Sequence, residues 1–250
     1  MPLDLAAVPS DKQTYEMCLA SIRTNPYQLV YVDKRLKTRE LCLEAVRLDG
    51  TTLAYVEDQT PEICIEAVKQ RGRSLQYVHD QTPEICLAAV EQNGYALKYV
   101  KDQTPELCMT AVKRDGLVLA CVKNQTPAIC LEAVRQNGWT LEYVKEQTPE
   151  ICLEAVKATG YAIQFVEHKT FEICLAAVRY EGALLRYIPD AEQTLPVVIA
   201  ALQQNPDCRD YIAVKFRKPE VYKAAGYDYK PEDLAPSYAK TIRKGPDIEH

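Results

Sequence analysis

No run of apolar residues in this 250-residue chain approaches the roughly 20 needed to cross a bilayer as a helix, so no membrane span is expected. A basic excess is missing too: 30 Lys and Arg stand against 35 Asp and Glu, for a net charge of −5 and a pI near 5.4. Nucleic-acid-binding surfaces normally carry the opposite balance, which argues against DNA or RNA as a partner. Histidine is scarce, limited to His79, His168 and His250, and no C-x-x-C pair occurs among the ten cysteines. The opening "MPLDLAAVPSDKQTYEM" has no basic segment followed by an apolar core, so no secretory signal is expected. Ten cysteines without such a signal point to a reducing compartment, cytoplasmic by default. The remaining composition, 47% hydrophobic and 26% charged, is that of a soluble folded protein.

What the chain does have is repetition. Thr38, Thr60, Thr82, Thr104, Thr126, Thr148 and Thr170 follow one another at intervals of 22 residues. A cysteine stands four positions after each threonine and a glycine eight positions beyond the cysteine, as in Thr60, Cys64 and Gly72. An earlier copy starts at Thr14, with Cys18 but with Asn25-Pro26 in the glycine region, and a degenerate one, "TLPVVIAALQQNPDCRDYI", starts at Thr194. Both join the strict run at a spacing of 24. Ahead of the first copy, "LAAVPSDKQT" resembles the back half of a repeat.

One copy, "TPEICIEAVKQRGRSLQYVHDQ", carries helix signals in order. Thr60 suits the N-cap, Pro61 the first helical position and Glu62 the first turn. Ile63, Cys64, Ala67 and Val68 share one helical face. Gly72 suits a left-handed helix terminator, and Leu75 and Val78 are spaced for about two turns of a second helix. Helices this short are marginal alone, so they must bury their faces against neighbouring copies. The prediction is an all-α fold, an α-solenoid of about nine stacked 22-residue helix-turn-helix repeats with irregular capping ends. A half-repeat cap would occupy 1–13 and the array 14–211, strictly periodic over 38–190. A C-terminal cap and tail would occupy 212–250, with Tyr222, Tyr227, Tyr229 and Tyr238 and a basic group at Lys240, Arg243 and Lys244.

The columns of the repeat suggest different roles. Equivalent cysteines on stacked helices should lie about 8–10 Å apart, too far for disulfides or a four-ligand zinc site. They read as small buried hydrophobes, so no metal and no cofactor is expected. Cys121 and Cys208 leave the column, and neither has a basic neighbour in sequence to make it a nucleophile. Tyr55, Tyr77, Tyr99, Tyr143 and Tyr187 form a second column that Phe165 and Cys121 interrupt, which favours packing over hydroxyl chemistry. Arg47, Lys69, Lys113, Arg135, Lys157 and Arg179 form a basic stripe, with Glu44, Glu66, Glu132 and Glu154 three residues before four of them as expected intrahelical partners. The column after the glycine varies instead: Thr51, Arg73, Tyr95, Leu117, Trp139, Tyr161 and Ala183. Arg73, Tyr95, Leu117, Trp139 and Tyr161 are the candidate partner-binding residues, because interfaces favour such side chains. The competing reading is that they only cover the hairpin turn.

The pattern "QTPEICLEAV.QNG.AL.YVK", seen in Ala89-Val90, Gly94 and Ala96-Leu97-Lys98-Tyr99, resembles a family of short helical repeats described as a domain of unknown function. The likeness covers roughly Thr14 to Tyr211. Such arrays occur in effector-like proteins of amoeba-associated bacteria and in giant viruses. The resemblance implies the fold and brings no catalytic residues. The expected function is a non-enzymatic protein–protein interaction scaffold binding a protein or peptide, with no small-molecule substrate, nucleic acid or membrane as partner. The alternative is a bacterial effector, acting in a host cytosol, or a viral inhibitor that blocks one host or defence protein. An enzyme within the C-terminal part would need an acid–base pair, a phosphate loop or a metal-ligand cluster, and those residues offer none.

Overall fold

The computed structural model describes residues 4–227, and every regular element among them is helical. In the copy that starts at Thr60, the threonine hydroxyl accepts the Ile63 N–H at 3.4 Å and caps the helix Pro61–Gln70. Arg71 is extended at φ −151°, and the chain re-enters a short 3-10 helix, Gly72–Tyr77. At three residues per turn those six residues make the two turns that the Leu75–Val78 spacing requires. Ile63, Cys64, Ala67, Val68, Leu75 and Val78 are all buried. The fold is that of an α-solenoid: nine copies of this α/3-10 hairpin occur among the described residues.

The described chain forms two compact units. One comprises residues 4–136 and 143–145, the other 137–142 and 146–227, so the division falls inside the sixth copy. The first unit contains α1 (Tyr15–Thr24), α2 (Arg39–Leu48), α3 (Pro61–Gln70), α4 (Pro83–Gln92), α5 (Pro105–Arg114) and α6 (Pro127–Gln136). The second contains α7 (Pro149–Ala158), α8 (Phe171–Tyr180), α9 (Leu195–Gln204) and α10 (Pro219–Ala224). Within each unit every α-helix packs on the next; the six-residue 3-10 helices also stack in sequence, from Pro26–Tyr31 to Gly116–Cys121 in the first unit and from Gly160–Phe165 to Pro206–Tyr211 in the second. An added 3-10 turn, Lys34–Leu36, takes up the longer spacing before Thr38, and a turn beginning at Pro189 takes up the one before Thr194. The Leu5–Ala7 turn lays its buried Leu5 beside the first copy's 3-10 helix. Tyr229, Tyr238, Lys240, Arg243 and Lys244 lie outside the described residues.

Two sequence expectations change. Gly72 does not terminate the helix in a left-handed conformation; it opens the 3-10 helix, and Gly226 alone among the described residues has positive φ. Glycine is needed because a Cβ there would sit 2.5 Å from the Ala89 carbonyl oxygen of the next helix. The column thus marks a close approach of backbone to backbone. The second change concerns charge: Glu44 pairs with Arg23 at 2.7 Å and Glu66 with Arg47 at 3.0 Å, each across consecutive copies instead of along one helix. Lys157–Glu154 keeps the expected intrahelical geometry at 2.9 Å.

The glutamine before each capping threonine ties the copies together. The Gln81 amide donates to the Leu75 carbonyl at 3.3 Å and to the Tyr99 carbonyl of the next copy at 2.9 Å. Its oxygen accepts the Lys101 N–H at 3.0 Å and faces the Cys86 thiol at 3.8 Å. Gln59, Gln103 and Gln125 in the first unit, and Gln147 and Gln193 in the second, repeat the donation to the next copy's carbonyl and the accepted N–H. The carbonyl it meets belongs to the tyrosine column, so Cys121 and Phe165 serve equally well there. Lys37 and Lys169 replace glutamine in two copies, and their ammonium groups still reach main-chain carbonyls.

Replacing Gly72 by alanine should cost about 1–3 kcal/mol, as overpacking of a closed interior does. Gly94→Ala should cost less, because its Cβ would stand 3.1 Å from the Ala111 oxygen. Urea unfolding of the two variants checks the order. Gln193→Ala removes bonds to the Ile188 and Tyr211 carbonyls and the Ala213 N–H inside a buried site. It should lower stability by about 2–4 kcal/mol, the cost of leaving such groups unmet, measured by the same titration.

Candidate functional site

The variable column after the glycine sits at the start of each 3-10 helix, where an Asx side chain commonly holds it. Asn93 Oδ1 accepts the Tyr95 N–H at 3.0 Å, Asp115 Oδ1 the Leu117 N–H at 2.9 Å and Asn137 Oδ1 the Trp139 N–H at 3.1 Å. Capping fixes the backbone and leaves the side chain to vary.

In the first unit Arg73 is exposed, Tyr95 is 44% exposed and Leu117 is half-buried. Arg73 borders a shallow depression of about 300 Å³ that also includes Tyr27, Tyr55 and Arg71. Tyr27 meets Tyr55 edge to face at 6.5 Å and donates its hydroxyl to Asp49 at 2.9 Å. Burial would raise the Asp49 carboxyl, but hydrogen bonds from Thr51 and Tyr27, with Arg71 nearby, hold it below the usual carboxylate range. Burial and the adjacent Asp115 push the Tyr95 phenol up.

In the second unit the column becomes an aromatic group. Trp139 stacks on Tyr161 at 6.2 Å with an interplanar angle of 12°, and Phe165 meets the indole edge to face at 5.8 Å. Tyr180 continues the group, edge to face with Tyr161 at 6.2 Å. Tyr161 donates its hydroxyl to the Glu181 carboxylate, the chief reason its phenol is pushed up. Trp139 is 43% and Tyr180 51% exposed. Sequence reading selected Trp139 and Tyr161 but passed over Tyr180. Its column reads Leu48, Gln70, Gln92, Arg114, Gln136 and Ala158 before it, so its signal was an aromatic ring at a position that is polar in four copies and aromatic in no other of the strict run. Gln92 there accepts the Gly72 N–H at 2.7 Å, whereas Tyr180 lays its ring against Gly160.

All ten cysteines remain thiols, and all but the half-exposed Cys121 are buried. Burial raises the thiols of Cys18, Cys42, Cys64, Cys86, Cys108 and Cys121, and pushes Cys152 and Cys174 to about 11 and Cys208 to about 12. Their reactive thiolate form is therefore scarce near neutrality. Among the described residues, no three His, Cys, Asp or Glu side chains converge as a metal site would need. No helix among them is long and apolar enough to cross a membrane.

Fold and surface together define a helical-hairpin repeat protein with a regular interior and a variable aromatic face. The chain belongs to the family described as a domain of unknown function (DUF4116), whose model matches residues 14–59, 60–104, 82–125 and 128–170. Each match spans about two of the 22-residue copies. No curated protein and no solved structure matches the chain.

At pH 8 in the native state, one thiol per chain should react readily with a chromogenic disulfide reagent, and Cys121→Ser should abolish that fast phase. In denaturant all ten should react.

Proposed function

We propose that this protein is a non-enzymatic interaction scaffold that binds a partner protein through the variable faces of its repeats. The observation that carries the reading is the exposed aromatic group of the second unit. Trp139 and Tyr180 keep large apolar faces in water, with the half-buried Tyr161 between them, although the repeat frame does not need them there. Exposed rings of this kind mark interaction surfaces, and Trp and Tyr dominate binding hot spots. The rings are already ordered: each contact contributes about 0.5–1.5 kcal/mol, and the Tyr161–Glu181 bond holds one phenol in place. A partner would therefore bind without first ordering them, which favours affinity. Tyr95 and Leu117 give the first unit a smaller apolar face of the same type. The ten thiols suit a reducing compartment, cytoplasmic in this reading.

The test is affinity capture from the native cell, followed by titration of the purified partner. Trp139→Ala combined with Tyr161→Ala should weaken the partner by tenfold to a hundredfold, as hot-spot loss does. Melting should shift by only a few degrees. Unchanged affinity for every captured partner would remove this face from consideration.

A further inference from the structure

The first unit holds a cavity of about 710 Å³ between the N-terminal ends of α4 and α5. That volume lies in the range of ligand-binding clefts. Pro83, Leu87 and Leu107 give it an apolar lining, and Leu87 is 40% exposed. Asp80, Asp102 and Glu106 stand around it, and none of the three makes an ion pair among the described residues. The one lysine at the cavity, Lys101, donates to the His79 carbonyl at 2.8 Å.

The equivalent groove between α2 and α3 shows what this arrangement accepts. Arg39 there occupies the first position of α2, and its guanidinium pairs with Glu62 in the first turn of α3. Lys34 pairs with Glu57 at the same groove, at 2.5 Å. By the 22-residue register, Pro83 stands where Arg39 does and Glu106 stands in the column of Glu62. The α4/α5 groove therefore keeps the carboxylate and lacks the arginine, and its remaining volume is larger than the 260 Å³ of the α2/α3 groove.

We propose that the α4/α5 groove docks an arginine-bearing segment of a partner protein. The aliphatic stem of the arginine lies against Leu87 and Leu107, and its guanidinium reaches Glu106 and Asp102. The guanidinium fork matches carboxylates in two-point geometry and its stem covers apolar surface, so charge and lining select the same side chain. This rests on reading the chain as an interaction scaffold, but it uses a different surface from the aromatic group.

The test titrates the isotope-labelled full chain with the peptide acetyl-Leu-Arg-Leu-Arg-Leu-amide and follows amide chemical shifts. A counterpart carrying citrulline keeps the shape and removes the charge. The expected result is saturable movement of the Leu87, Asp102 and Glu106 amides, with the citrulline peptide at least tenfold weaker. Asp102→Asn with Glu106→Gln should weaken the arginine peptide by at least tenfold. Pro83→Arg, which restores the arrangement seen at Arg39, should pair with Glu106 and do the same in a folded chain. Trp139→Ala should leave peptide binding unchanged, so failure of the aromatic reading and failure of this one are distinguishable. Absence of saturable binding, equal affinity for citrulline, shifts centred outside the groove, no effect of Pro83→Arg, or loss of binding in Trp139→Ala would each overturn the proposal.

Discussion

The side-chain amide of a glutamine, replaced by lysine only before Thr38 and Thr170, is the interaction on which the stacking depends. A ten-residue α-helix followed by a six-residue 3-10 helix leaves many main-chain N–H and C=O groups without partners inside the copy. Water cannot reach all of them once the copies stack, and a buried group left unmet is costly. Gln81 answers this with one planar group that donates to carbonyls of its own and the following copy and accepts an N–H of the latter. Its partners are main-chain atoms, so the bridge survives almost any change in the side chains around it.

A second constraint acts on the other side of the hairpin. Where glycine opens the 3-10 helix, its start approaches the next α-helix so closely that in most copies a methyl group does not fit, as at Gly72 against Ala89. Alanine and cysteine fill the α-helix faces because little volume remains there. Glutamine, glycine, alanine and cysteine together form a frame with little freedom to vary. Variation is left to the exposed side chains: the residue after the glycine, the end of the α-helix, and the first position of the helix where Arg39 and Pro83 differ. The proposed aromatic face and the α4/α5 groove both reflect that freedom, one by gaining rings and the other by keeping the proline common to most copies where Arg39 instead fills the α2/α3 groove.

The frame was largely legible in the residues. Thr60, Pro61 and the Ile63, Cys64, Ala67 and Val68 face follow from local rules of capping and periodicity, and each appears as those rules require. The glycine and charge columns were visible, but their roles were not. A glycine after a helix suggests a left-handed residue when only its own helix is considered; the Ala89 carbonyl that dictates it lies 17 positions away. Glu44 has Arg47 three residues on, yet pairs with Arg23, because stacking brings the preceding copy's guanidinium within 2.7 Å. Trp139 and Tyr161 were identifiable as unusual side chains, but nothing in their spacing announces a parallel stack with Tyr180 at its edge.

By itself, then, the sequence determined the element types, their order and the buried face of each helix, since these depend on residues within a turn or two of one another. Tertiary structure alone decided which carbonyl each glutamine meets, why glycine is required, and where a cavity opens between two helices. Those features depend on separations across adjacent copies, and a linear pattern records that the copies repeat without recording how closely they come together.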